Sequence, residues 1–155
     1  MTLVFLHGAG GYVEDRPLAE GLAAGSATDL RYPELSDQDM SVAAWSAQIA
    51  EALGDLGADD RVVAHSFGAS VLLLMLADGL ELPGEVRMLA MPNWGPDGWD
   101  VAEYAFAGSE PSTPLVLQHC RDDEVVPFHH LALNAALLPA ARVVVRDRGG
   151  HQFGF

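Results

Sequence analysis

The chain has 155 residues, half of them hydrophobic and 19% charged, with a formal net charge of −14. A length of that order fits one domain with a sizeable core. The acidic balance excludes phosphate-backbone binding, which needs clustered Lys and Arg, and disfavours anionic membrane surfaces. Cys120 is the one cysteine, so no intrachain disulfide can form. The N-terminal segment MTLVFLHGAGG has no basic region and no small-residue cleavage site, and its apolar run falls far short of the ~20 residues that span a bilayer. A cytoplasmic location is expected.

The elements follow in chain order. LVFLHG (3–8) predicts a buried strand stopped by glycine. Residues 16–25 predict a short helix, with Asp15 and Pro17 near its start and Gly25 at its end. ATDLRYP (27–33) predicts a modest strand. Val42, Trp45, Ile49, Leu53 and Leu56 recur on one helical face, and Gly57 is the expected stop. RVVAH (61–65) predicts a strand. Residues 67–78 predict a helix apolar nearly all round, hence deeply buried. VRMLAM (86–91), PLVLQHC (114–120) and ARVVVRD (141–147) predict three more strands. Residues 92–113 are rich in Gly, Pro and Trp and read as irregular, with a turn or two of helix around 100–106. A helix over 129–138 ends at Pro139.

Apolar strands alternating with helical crossovers predict an α/β architecture: a parallel sheet of about six strands between two helical layers. Sites in such sheets form at the carboxyl ends of the strands. That selects the loops after Leu6, His65, Met91, Cys120 and Asp147.

At the second of these ends stands AHSFG (64–68), which differs from G-x-S-x-G only by Ala64 at its first position. A sharp strand-to-helix turn strains the serine and lifts its Oγ clear of the sheet. Ser66 is therefore a candidate nucleophile; its other reading is a helix cap. A serine needs a base, and His151 follows the last strand in RDRGGHQF. The base needs a carboxylate, and the loop after the next-to-last strand offers Asp122, Asp123 and Glu124.

LVFLHGAGG, AHSFG, HCRDDEVVP and GGH, in this order, resemble the α/β-hydrolase superfamily over nearly the whole chain. The small size, the near absence of an inserted cap and the Trp-rich loop after LAM are most similar to small cap-less serine hydrolases of the retinoblastoma-binding-protein type. The resemblance implies a Ser66–His151–Asp123 triad. Asp123 stands four residues before Pro127, as in H-G-x-x-D-x-x-V-P; Asp122 is the alternative acid. It also implies an oxyanion hole from the Ala9 and Phe67 amides, hydrolysis of a small ester, and no metal or organic cofactor. Trp94, Trp99 and Phe128 are candidate pocket walls. His7 is expected to orient the oxyanion loop, His65 to pack beneath the serine, and Asp122 and Glu124 to be solvated. His129 and His130 are adjacent and so cannot form an i, i+4 metal pair; a metal cluster of the two with His119 is the disfavoured alternative.

Two departures from the family stand out: the chain starts at its third strand, and only QFGF follows His151. Without a final helix, the last three strands are expected to leave one face apolar and bare. A second copy in a two-fold dimer is the expected cover, with Phe153 and Phe155 folding back over part of it.

Overall fold

A computed structural model describes residues 1–154. Six strands form one parallel sheet in the order β2-β1-β3-β4-β5-β6. They are β1 (Thr2–Leu6), β2 (Asp29–Arg31), β3 (Arg61–His65), β4 (Val86–Leu89), β5 (Leu115–Cys120) and β6 (Arg142–Arg146). The helices are α1 (Arg16–Ser26), α2 (Val42–Leu53), α3 (Phe67–Ala77) and α4 (His129–Leu137), with a 3-10 turn at Ala102–Tyr104.

Right-handed crossovers put α1 on one face of the sheet and the other helices on the opposite face. The two cores reflect this division. Leu3, Phe5 and Val63 meet Ala19 and Ala23 of α1. Val4, Leu6, Val62, Ala64 and Met88 meet Trp45 and Ile49 of α2, Leu72 of α3 and Leu131 of α4. Eight of the eleven residues of α3 are buried, as its all-round apolar sequence requires.

Some boundaries differ from the sequence reading. The Ser41 hydroxyl caps α2 by accepting the Ala44 amide at 3.1 Å, and Gly54 ends it at φ 48°, one turn before Gly57. Leu56 still packs on the core from the following loop. β4 stops at Leu89 because Ala90 turns left-handed, at φ 49°.

The open side of β4–β6 is not the apolar face expected. Side chains alternate along a strand, and Val86, Met88, Leu115 and Leu117 point into the α3 and α4 layer. The register places Arg87, Val116 and Arg142 side by side on the other face, with Leu89, Gln118 and Val144 in the next row. Val116, between its two arginines, is completely buried. Phe153 folds back against Cys120 and Leu89 and is buried, with the Arg146 guanidinium over its ring. Phe155 lies outside the described residues. Among the described residues, this face does not present the bare apolar surface that motivated the expected dimer.

Candidate active site

The elbow comes first. β3 ends at His65, Ser66 stands at φ 54° and ψ −122°, and α3 begins at Phe67. A side chain other than glycine at positive φ is strained, so its neighbours must hold it there. The Ser66 amide donates to the Leu89 carbonyl at 2.8 Å, and its carbonyl accepts the Ser70 amide at 3.2 Å. Ser66 occupies the cap position of α3, yet its side chain makes no capping hydrogen bond. The helix-cap reading therefore fails, and the hydroxyl stands at a cavity wall.

The carboxylate and the imidazole arrive on two loops. Asp123 follows β5, and its Oδ1 accepts the Val125 and Val126 amides, both at 2.8 Å. Its oxygens lie 3.1 and 3.0 Å from His151 Nδ1, so that nitrogen carries a proton and donates. His119 Nε2 lies 3.1 Å from Asp123 Oδ2 and 2.9 Å from the Val126 carbonyl. Burial alone would push the Asp123 carboxyl up. The hydrogen bonds from His119, His151 and the Val125 amide outweigh it and hold the group well below its ordinary value.

His119 escaped the sequence reading as a partner of the acid. The available signal was its position four residues before Asp123, within the same motif. Asp122 and Glu124 are exposed, as expected, and each also takes up backbone amides of the next loop. Asp122 accepts the Gly150 amide at 2.8 Å and the Gly149 amide at 3.3 Å, and Glu124 accepts the His151 amide at 3.1 Å. Three consecutive acids thus grip one loop, with only the middle one on the imidazole. Gly149 and Gly150, at φ 136° and 65°, allow that loop its turn.

The loop after β1 forms the other wall. A β-carbon on Gly8 would lie 3.0 Å from Ser66 Cβ and 3.6 Å from its Oγ. His7 steadies this loop as expected: Nδ1 donates to the Gly8 carbonyl at 2.7 Å, and Nε2 accepts the Leu35 amide at 2.8 Å. Ala9 and Phe67 line the same cavity as Ser66 and His151, which has a volume of about 400 Å³. Trp94 and Trp99 also line it, joined by Met40, Tyr104 and Val125. Phe128 does not. It packs on the hydrophobic core, with its ring edge-on to His119 and beneath the Arg121 guanidinium.

Cys120 is buried, and burial pushes its thiol up to about 11, which leaves it unreactive.

The tryptophan loop is held from α4. His130 Nδ1 accepts the Asn93 amide at 2.8 Å, and Asn134 bridges the Asn93 side chain and the Met91 carbonyl. Burial, then the positive charges of His129 and His119, lower His130 to about 4. Between its ordinary value of about 6.5 and about 4, the unfolded chain binds a proton that the folded protein excludes. The stability contributed by neutral His130 is therefore complete above pH 6.5 and lost as the pH falls towards 4. Urea midpoints measured from pH 7 to 4.5 should fall less steeply in His130→Asn, whose Oδ1 can still accept the Asn93 amide. Equal slopes would contradict this role.

No protein-family model and no curated protein sequence matches the chain. Solved structures do. The ydeN gene product of B. subtilis superposes with a TM-score of 0.76 at 15% identity, covering 97% of this chain and 87% of that one. Mouse alpha/beta hydrolase domain-containing protein 10 gives 0.71 at 15% identity, with coverages of 97% and 82%. A meta-cleavage product hydrolase from Pseudomonas fluorescens gives 0.70 at 13% identity, with coverages of 98% and 84%. The chain has the α/β-hydrolase fold in a small form.

Proposed function

We propose that this α/β-hydrolase fold carries a serine hydrolase that cleaves small esters by acyl transfer. One observation carries the reading: a buried carboxylate holds His151 Nδ1 at 3.0 Å, in a cavity whose wall includes a serine at φ 54°. Oriented by Asp123, His151 presents Nε2 as the base. Ser66 Oγ attacks the ester carbonyl as His151 takes its proton. The Ala9 and Phe67 amides receive the oxyanion, Phe67 with the positive end of α3 behind it. His151 returns the proton to the leaving alcohol. Water then attacks the acyl-enzyme by the same route in reverse. The short segment between β4 and β5 supports placement among the small cap-less serine hydrolases of the retinoblastoma-binding-protein type. A thioester or amide would engage the same residues.

A fluorophosphonate probe tests the chemistry directly. Intact-mass spectrometry should show one adduct, mapped to Ser66 and absent from Ser66→Ala. No adduct between pH 6 and 9 would favour a binding protein built on a hydrolase scaffold.

The cavity also sets substrate size. Its aromatic wall comes from about ten residues of loop, Trp94 to Tyr104, and Trp99 remains 39% exposed. That makes a short, open acyl site. Across p-nitrophenyl esters of rising chain length, kcat/KM should peak at short acyl groups. A maximum at about twelve carbons would contradict the pocket described.

A further inference from the structure

We propose that Asp15 and His65 form a second carboxylate–imidazolium pair, buried beneath the site, that positions the oxyanion loop and the catalytic histidine as one unit. The positioning role rests on the acyl-transfer reading above; the ion pair itself does not.

Asp15 stands directly before α1, where a helix cap is expected, but its side chain makes no capping hydrogen bond. It turns inward and is 1% exposed. Oδ2 accepts the Gly8 amide at 2.9 Å and lies 2.7 Å from His65 Nδ1. Oδ1 accepts from Gln152 Nε2 at 2.9 Å. His65 is also 1% exposed, and its Nε2 lies 2.8 Å from the His151 carbonyl oxygen.

Donor counting fixes the protonation. A carbonyl oxygen only accepts, so His65 Nε2 carries a hydrogen. Nδ1 faces a carboxylate oxygen at the short distance of a charge-assisted bond, so it carries one too. A neutral ring could serve only one of these partners, and the other would be left buried and unmatched. The Asp15 carboxyl is consistent with this: burial pushes it up, but His65, the Gly8 amide and Gln152 together hold it below its ordinary value. The other groups packed near the His65 ring are Phe5, Phe153 and the His151 imidazole, at centroid distances of 6.4, 6.3 and 4.6 Å.

Each bond of the pair holds a different moving part of the reaction. Gly8 precedes the Ala9 amide of the oxyanion hole. His65 is bonded to Ser66. The His151 carbonyl and the Gln152 side chain bracket the base. Because buried charges tolerate little displacement from their partners, one ion pair sets the spacing of donor, nucleophile and base. Both border the cavity, but each is 1% exposed and its polar atoms are already taken by Gly8, Gln152, the His151 carbonyl and each other, so Asp15 and His65 are positioning residues.

The test combines a spectroscopic and a kinetic readout. Histidine-selective ¹⁵N NMR of the wild-type protein at pH 7 should show both His65 nitrogens protonated, and His7 as the neutral Nδ1–H tautomer. Asp15→Asn keeps one oxygen that can accept from both Gly8 and His65 but removes the charge and the acceptor for Gln152. It should abolish the doubly protonated signal and lower kcat by about 100-fold, with KM within about threefold. Circular dichroism confirms the fold, and fluorophosphonate titration normalises rates to competent sites. A singly protonated His65 in the wild type overturns the pair, whether or not the variant folds. Unchanged kcat in a folded Asp15→Asn overturns the positioning role. A wild type that takes no label defeats the acyl-transfer reading and the positioning role with it, while the His65 signal still decides the pair.

Discussion

Asp123→Asn should lower kcat by about four orders of magnitude. The carboxylate meets His151 Nδ1 with both oxygens and takes a further bond from His119 Nε2. An asparagine keeps an oxygen for the Val125 and Val126 amides, so the turn after β5 can survive. Its NH2 then points at the two histidines, and an NH2 group donates. His151 must put its lone pair on Nδ1 and its hydrogen on Nε2, the nitrogen that has to accept the serine proton. Asp122→Asn retains an acceptor for the Gly150 amide and leaves the imidazole untouched, so kcat should change by less than about tenfold. Steady-state rates on p-nitrophenyl acetate separate the two variants. The reverse ranking would move the acid to Asp122 and sink the geometry described.

Gly68→Ala should damage both stability and activity, although it adds a single methyl. The glycine lies on the first turn of α3, against the end of β1. A β-carbon there would sit 3.0 Å from the Leu6 carbonyl oxygen and closer still to that of His7. Both obstacles are main-chain atoms, of the last residue of β1 and the first residue beyond it, and cannot swing aside as a side chain could. Either the elbow or the oxyanion loop must shift. Overpacking of this kind costs about 1–3 kcal/mol, or several degrees in Tm for a chain of this size. Displacing Ser66 relative to Ala9 should also cost at least about 100-fold in kcat. Gly21→Ala is the matched control: it lies in α1 with nothing within 4 Å of the added carbon. Helix propensity makes that change neutral or stabilising by up to about 1 kcal/mol. Thermal scans and active-site titration of the two variants give the comparison. A Gly68→Ala protein with wild-type Tm and rate would mean the elbow is not packed as described.

The amino-acid sequence by itself determined the order and type of the elements, a parallel sheet between helices, and which strand ends carry Ser66, Asp123 and His151. Each of these is written in a short stretch: apolar runs of strand length, a helix face of fixed period, a serine between small residues at a strand–helix junction. Backbone geometry enforces such patterns locally. Exact stops were less legible, because Gly54 and Gly57 are both competent to end α2, and packing chose the earlier one. Only the tertiary structure decided where charges go. Asp15 reads as a helix start, yet its partners are 50 and 137 residues away, at His65 and Gln152. Asp122 and Glu124 read as solvated and are exposed, but the sequence does not show that they hold amides 27 or 28 residues on. Phe128 reads as a pocket wall and instead packs beside His119 and Arg121. The open face of β4–β6 reads as apolar, until the register sets an arginine on either side of Val116. Local propensity says nothing about which donor a buried carboxylate will find. That depends on which strand ends the sheet order brings together, and the cost of leaving a buried charge unpaired then fixes the match.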